Sequence, residues 1–260
     1  LAVGGNRPAA QAAVIAASGF NDALGVNSNT SPNSPFTLGA TVKGAGVGEP
    51  GWGTNNWVVS LDGGAGGDSN ALADSAVVHE GDGALHILDT SGEMWVYRYL
   101  AAGLTASTLI EQYVRLPTNG ILISRPGMGG TGAKVAAQWK VEGGKLYAYD
   151  GDGSGGGAYE DTGFAVAANV WSKISVLIDP ASKTFDLFFN DVRYAASDPL
   201  NYRGNPSSIQ FLDYLAQTEA WVDDIQVSEV PEPSSMVQWL GMSGILGFFF
   251  LRRKGRAVAS

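Results

Sequence analysis

The chain has 260 residues, no cysteine and two histidines, His79 and His86, which excludes disulfides, thiolate metal centres and a cysteine nucleophile and leaves little for a histidine-based triad. It carries 25 acidic against 16 basic residues, and four of the basic ones, Arg252, Arg253, Lys254 and Arg256, stand in the last nine positions, where there is no acid. The body that remains is strongly acidic and is not expected to bind nucleic acid, because phosphate contacts need clustered Lys and Arg.

Residues 1–13 are small and weakly apolar, and Ala10-Gln11-Ala12 has the A-x-A form of a signal-peptidase site, so this segment reads as the remnant of a signal peptide. Residues 14–228 show almost no helical periodicity. Short alternating runs separated by Gly, Asn, Asp and Pro predict strands over Asn56–Leu61, Ala76–His79, Ala84–Leu88, Met94–Tyr99, Leu109–Leu116, Ile121–Ser124, Lys134–Val141, Lys145–Tyr149, Trp171–Asp179, Thr184–Asn190, Ser208–Leu212 and Trp221–Ser228. Twelve strands without crossover helices predict an all-β, antiparallel sandwich or barrel.

Several positions on this scaffold suggest chemistry. Trp95, Tyr97 and Tyr99 form an aromatic stripe on one strand, and Tyr147 and Tyr149 a second. Such stripes either stack sugar rings or simply pack, since aromatic residues favour strands. Asp150-Gly151-Asp152-Gly153-Ser154 has the spacing of a calcium loop, but Asp161 stands where a Glu is needed and the flanks read as strands, so a hairpin turn is expected. On the last predicted strand, alternation places Trp221, Asp223, Ile225 and Val227 on one face. If that face is the core, Asp223 is an inward carboxylate that needs either backbone N–H donors or a cation such as Ca²⁺. No paired carboxylates at glycosidase spacing and no G-x-S-x-G motif are found, so the chain does not read as an enzyme.

The stretch from Trp171 to Asn190, followed by Ser207-Ser208-Ile209-Gln210-Phe211 and by Trp221-Val222-Asp223-Asp224-Ile225, resembles concanavalin A-like (laminin G-like) jelly rolls over about residues 165–228. Ala17–Asp22 fits the first strand of such a roll. The resemblance implies that Asn21 or Asp22 could join Asp223 around a structural Ca²⁺, as in carbohydrate-binding jelly rolls. Laminarinase-like hydrolases of this fold carry E-x-D-x-E or E-x-D-x-x-E; here Glu80 and Asp82 begin that pattern, but Ala84 and Leu85 stand where its second Glu is required.

The chain end has a separate character. Residues 229–235 form a linker containing Pro231, Glu232 and Pro233; residues 236–251 are an apolar run of 16 residues; residues 252–260 hold the basic cluster. The run is close to the ~20 residues of a membrane-spanning helix, and the basic tail places its end in the cytoplasm by the positive-inside rule. This ordered set resembles the PEP-CTERM sorting signal. The resemblance implies recognition by an exosortase, a membrane protease/transpeptidase of Gram-negative bacteria. It also implies brief anchoring in the inner membrane, removal of the tail, and passage to the cell surface or exopolysaccharide matrix. The expected function is an exported surface or matrix protein that binds polysaccharide without catalysis. A glycoside hydrolase or lyase on the same fold and a purely structural matrix protein are the alternatives.

Overall fold

Alternation decides the architecture. The computed structural model describes residues 13–20, 36–37, 40–45, 49, 51–62, 70–89, 93–196 and 199–230. Asn21 and Asp22, the Pro-Glu-Pro motif, the apolar run and the basic tail all lie outside these residues, and among the described residues no helix is long and apolar enough to cross a membrane. The strands are β1 (Ala13–Ser18), β2 (Val58–Asp62), β3 (Ala71–Asp74), β4 (Ala84–Leu88), β5 (Glu93–Leu104), β6 (Thr108–Arg115), β7 (Leu122–Ser124) and β8 (Trp139–Glu142). They continue as β9 (Lys145–Gly151), β10 (Gly157–Ala165), β11 (Ser172–Asp179), β12 (Thr184–Phe189), β13 (Val192–Arg193), β14 (Leu200–Asn201), β15 (Ile209–Ala216) and β16 (Glu219–Glu229).

All pairings are antiparallel, and the strands form two sheets. Sheet I runs β13-β12-β11-β6-β16-β4-β3, with β1 added on β16 and β14 on β12; sheet II runs β10-β9-β8-β7-β15-β5-β2. Their inner faces share one core, in which Ile174, Val176, Ile178, Ile110 and Val114 of sheet I meet Met94, Val96, Trp139, Leu146, Leu212 and Tyr214 of sheet II. The all-β antiparallel sandwich expected from the sequence is therefore present.

Three differences from the sequence reading have physical causes. Ala76–His79 is not a strand; Ser75–Gly83 is a loop of bends and turns, and the strand lies just before it at β3. β10 is not predicted because Gly157–Ala165 lacks apolar alternation; it is an edge strand, half-buried at best along its whole length. The third difference is in β16. Trp221, Asp223, Ile225 and Val227 do not share a face. Opposite β6, Val222 pairs with Val114 and Asp223 with Tyr113, but Gln226 pairs with Glu111 and Val227 with Ile110, so one extra residue is inserted between Asp223 and Gln226. Asp224 takes φ +48° in this bulge, a left-handed conformation uncommon for a residue with a Cβ. The bulge reverses the alternation: Val222, Ile225 and Val227 enter the core, while Trp221 and Asp223 turn to the outer face of sheet I.

One charged pair does lie inside. Arg98 of β5 points inward between Val96 and Leu100 and is fully buried with Glu49. Its Nη1 donates to Glu49 Oε2, and its Nε and Nη2 donate to Asn55 O at 3.1 and 2.9 Å. The guanidinium carbon lies 4.6 Å over the Trp52 ring, and Trp52 Nε1 donates to Ala17 O at 3.0 Å, so the pair ties β1, the segment around Trp52 and β5 together.

Candidate functional site

The outward positions of sheet II bring the two aromatic stripes onto one surface. Met94 and Val96 are core residues, so Trp95, Tyr97 and Tyr99 face out from β5. Register places Leu215, Asp213 and Phe211 of β15 beside them in that order. Leu146 and Ala148 are core residues of β9, so Tyr147 and Tyr149 also face out, with Tyr159 of β10 beside Tyr149 and Lys140 of β8 beside Tyr147. Strand spacing of about 4.8 Å separates β5 from β9 by about 19 Å across the sheet, the breadth of several sugar rings.

The two halves of this face differ. Around β5, Phe211 sits 5.4 Å from Tyr97 and 5.0 Å from Tyr99, ring centre to ring centre, and Tyr99 is exposed. Trp95 is capped: the Arg125 guanidinium lies 4.4 Å over its ring. Arg125 in turn binds Asp213, with Nε and Nη2 donating to Oδ2 at 2.9 and 2.6 Å and the backbone N–H to Oδ1 at 2.7 Å. Asp213 is fully buried, and burial pushes its carboxyl up while Arg125 pulls it down. The segment after Arg125 crosses the sheet here. A Cβ on Gly127 would sit 2.2 Å from Lys134 O, and one on Gly130 would sit 3.3 Å from the Trp95 ring, so glycine lets this segment lie flat.

Around β8–β10 the face is polar as well as aromatic. Tyr149 and Tyr159 meet edge to face at 4.9 Å. Gln138 Nε2 donates to Tyr159 Oη, Arg203 Nη1 donates to Gln138 Oε1 at 2.7 Å, and Arg203 Nε donates to Gly155 O at 2.9 Å. The Arg203 guanidinium lies 5.0 Å over Tyr149, and the Lys140 ammonium 4.3 Å over Tyr159. Burial raises the Tyr159 phenol, while its bond from Gln138 and the charges of Arg203 and Arg125 act in the opposite direction. Gln138, Lys140, Tyr159, Asp213, Arg125 and Arg203 were not singled out from the sequence. Only Gln138 and Lys140 had a usable signal, through their shared phase in the strand predicted over Lys134–Val141; Tyr159 lies on β10, which the sequence does not predict.

Asp150–Gly157 is a hairpin turn between β9 and β10, as expected. Asp152 Oδ1 accepts from the N–H of Ser154 at 2.7 Å and of Gly156 at 3.0 Å, which holds the carboxyl below its usual range.

Asp223 lies on the opposite side of the molecule, outside the core. The loop Ser75–Gly83 covers it: Oδ2 accepts from the N–H groups of His79 at 2.9 Å and Glu80 at 3.3 Å, and Oδ1 from that of Asp224 at 2.8 Å. The backbone-donor alternative for this carboxylate is thus the one observed. Burial and the neighbouring Asp224 carboxylate push its carboxyl up to about 8. The donor atoms that gather within 4.8 Å of one another belong to His79, Glu80 and Asp224, with His79 Nδ1 2.6 Å from Asp224 Oδ2. The two carboxylates suit Ca²⁺, which takes oxygen ligands, and the imidazole does not.

The raised Asp223 carboxyl has a measurable consequence. Its folded-state value exceeds its ordinary 3.8, so the folded state holds this proton more tightly than the unfolded chain. The contribution is fully present below about pH 4 and is lost as pH rises to about 8. In thermal melts between pH 4 and 8, wild type is expected to lose stability relative to Asp223→Asn; a pH-independent difference between the two would contradict this.

No protein-family model matches the chain, and neither does any curated protein. Among solved structures, it is similar to a sialidase, at 11% identity and a TM-score of 0.48 over 67% of this chain and 17% of that one. The cellulose induced protein Cip1 is similar at 13% identity and a TM-score of 0.46, over 67% of this chain and 91% of that one. Caenorhabditis elegans galectin LEC-6 is similar at 10% identity and a TM-score of 0.38, over 55% and 96%. The chain therefore spans less than a fifth of the sialidase's length.

Proposed function

We propose that this protein is an exported surface or matrix component whose sandwich, a jelly roll of concanavalin-like kind, binds polysaccharide without catalysis through the outer face of sheet II. One observation carries the reading: two aromatic stripes, distant in sequence, share a single outward face with polar side chains between and beside them. Aromatic faces offer broad apolar contact to the CH groups of sugar rings, and the flanking polar atoms fix orientation. A packing role explains Trp95, which is capped by Arg125, but not exposed Tyr99.

Export and sorting belong to the same reading and are supported by the order of the C-terminal motifs. Pro231, Glu232 and Pro233 would mark the tail for an exosortase, with the apolar run held in the membrane and Arg252, Arg253, Lys254 and Arg256 on its cytoplasmic side. A structural Ca²⁺, expected at Asp223 with Asn21 or Asp22, is a separate expectation; among the described residues the oxygen donors gathered beside Asp223 are those of Glu80 and Asp224. Affinity electrophoresis of the protein through gels containing neutral or acidic polysaccharides tests the binding. Retardation by at least one polymer is expected, and uniform migration in all of them would overturn the reading.

A further inference from the structure

We infer that the ligand is an acidic polysaccharide, and that Arg203 receives the carboxylate of its uronate units. The inference rests on the binding reading above and names the ligand class of the same face.

The body of this chain is strongly acidic, so an anionic polymer would be repelled unless cations were concentrated where it lands. On the outer face of sheet II they are concentrated: Arg125, Lys140 and Arg203 all lie over aromatic rings of that face. Two of the three already have a carboxylate. Arg125 is bound by Asp213, and Lys140 Nζ lies 2.5 Å from Glu142 Oε2.

Arg203 differs. Its hydrogen-bond acceptors, Gly155 O and Gln138 Oε1, are neutral, and among the described residues it makes no ion pair. Five N–H donors belong to a guanidinium. Nε and one N–H of Nη1 are occupied, which leaves one N–H of Nη1 and both of Nη2 as the donors of a fork. The neutral acceptors and the Tyr149 ring hold this fork in place without cancelling its charge. A planar carboxylate matches it with two parallel hydrogen bonds. The corner formed by Tyr149 and Tyr159 supplies the surface for the sugar ring that bears the carboxylate, and the Lys140 ammonium, shared with Glu142, lies against the same Tyr159 ring.

The experiment is affinity electrophoresis of the whole protein in polygalacturonate and in alginate, each beside its methyl-esterified form, and in dextran sulfate. The account expects retardation by at least one carboxylated polymer, weakened by salt and lost on esterification. Arg203→Gln should weaken it about tenfold or more. Because Arg203 also joins the Gly155 and Gln138 segments, each variant is melted first; Lys140→Gln, on the solvent side, provides a second variant and should weaken retention with an unchanged midpoint. Equal retention by the esterified polymers, or tighter retention by dextran sulfate than by either carboxylated polymer, would overturn the inference while leaving polysaccharide binding intact. Retention by no polymer, neutral ones included, would overturn both.

Discussion

Glu49→Ala is expected to cost about 3–5 kcal/mol of folding stability, because it removes the Glu49 carboxylate from a fully buried guanidinium. Both side chains are fully out of solvent, so no bulk water screens the loss. Burial pushes the Glu49 carboxyl up to about 7 against the pull of Arg98, which shows how closely desolvation and attraction compete at this site. Asn55 O and the ring of Trp52 would still touch the guanidinium, but neither carries charge. For a domain of this size the cost corresponds to a fall in melting midpoint of roughly 6–20 °C. Replacing both residues, Glu49→Leu with Arg98→Met, is expected to recover most of the loss, since a buried pair contributes little beyond what apolar packing provides. Guanidinium denaturation of the three proteins checks this; a Glu49→Ala loss below about 1 kcal/mol would contradict it.

The second large effect is expected at Asp213. It is fully buried beneath the segment that crosses sheet II, and three donors of Arg125 converge on it. Asp213→Ala removes both acceptor oxygens, and with them all three hydrogen bonds, and is expected to cost about 3–5 kcal/mol. Asp213→Asn keeps one acceptor oxygen for part of this set and loses the charge and the second acceptor, so its cost should be smaller than that of alanine but not negligible. The stack of Arg125 on Trp95 depends on the same anchor, and the indole should become more accessible in the alanine variant. Tryptophan fluorescence quenching alongside denaturation measures both effects. Wild-type stability in Asp213→Asn would argue against a buried ion pair.

The strand pattern and the class of fold were legible because the core is built from period-two alternation, as in Ile174, Val176 and Ile178. The faces of β5 and β9 were legible for the same reason, and with them all five aromatic residues of the candidate face. Alternation failed where the backbone departs from it. The bulge at Asp224 moved Trp221 and Asp223 out of the core, and no sequence period announces one inserted residue. Arg98 carried a signal, since it stands in phase with Met94 and Val96; its partner Glu49 lies in a loop with no strand phase to place it. Arg203 likewise occupies a loop position. It reaches the face only because the segments at residues 133–136 and 203–205 pair with each other, as in Gly204 N–H to Val135 O at 2.8 Å. Contacts of that kind depend on tertiary closure and leave no local pattern.

The central claim is that the outer face of sheet II holds polysaccharide, and retention of Tyr147→Ala/Tyr149→Ala beside wild type tests it most directly. Both side chains face outward and neither belongs to the core, so the melting midpoint should be nearly unchanged. Losing two contact rings is expected to weaken retention by about tenfold or more in every gel that retards the wild type. Wild-type retention by this variant, folded and unchanged in midpoint, would contradict the account.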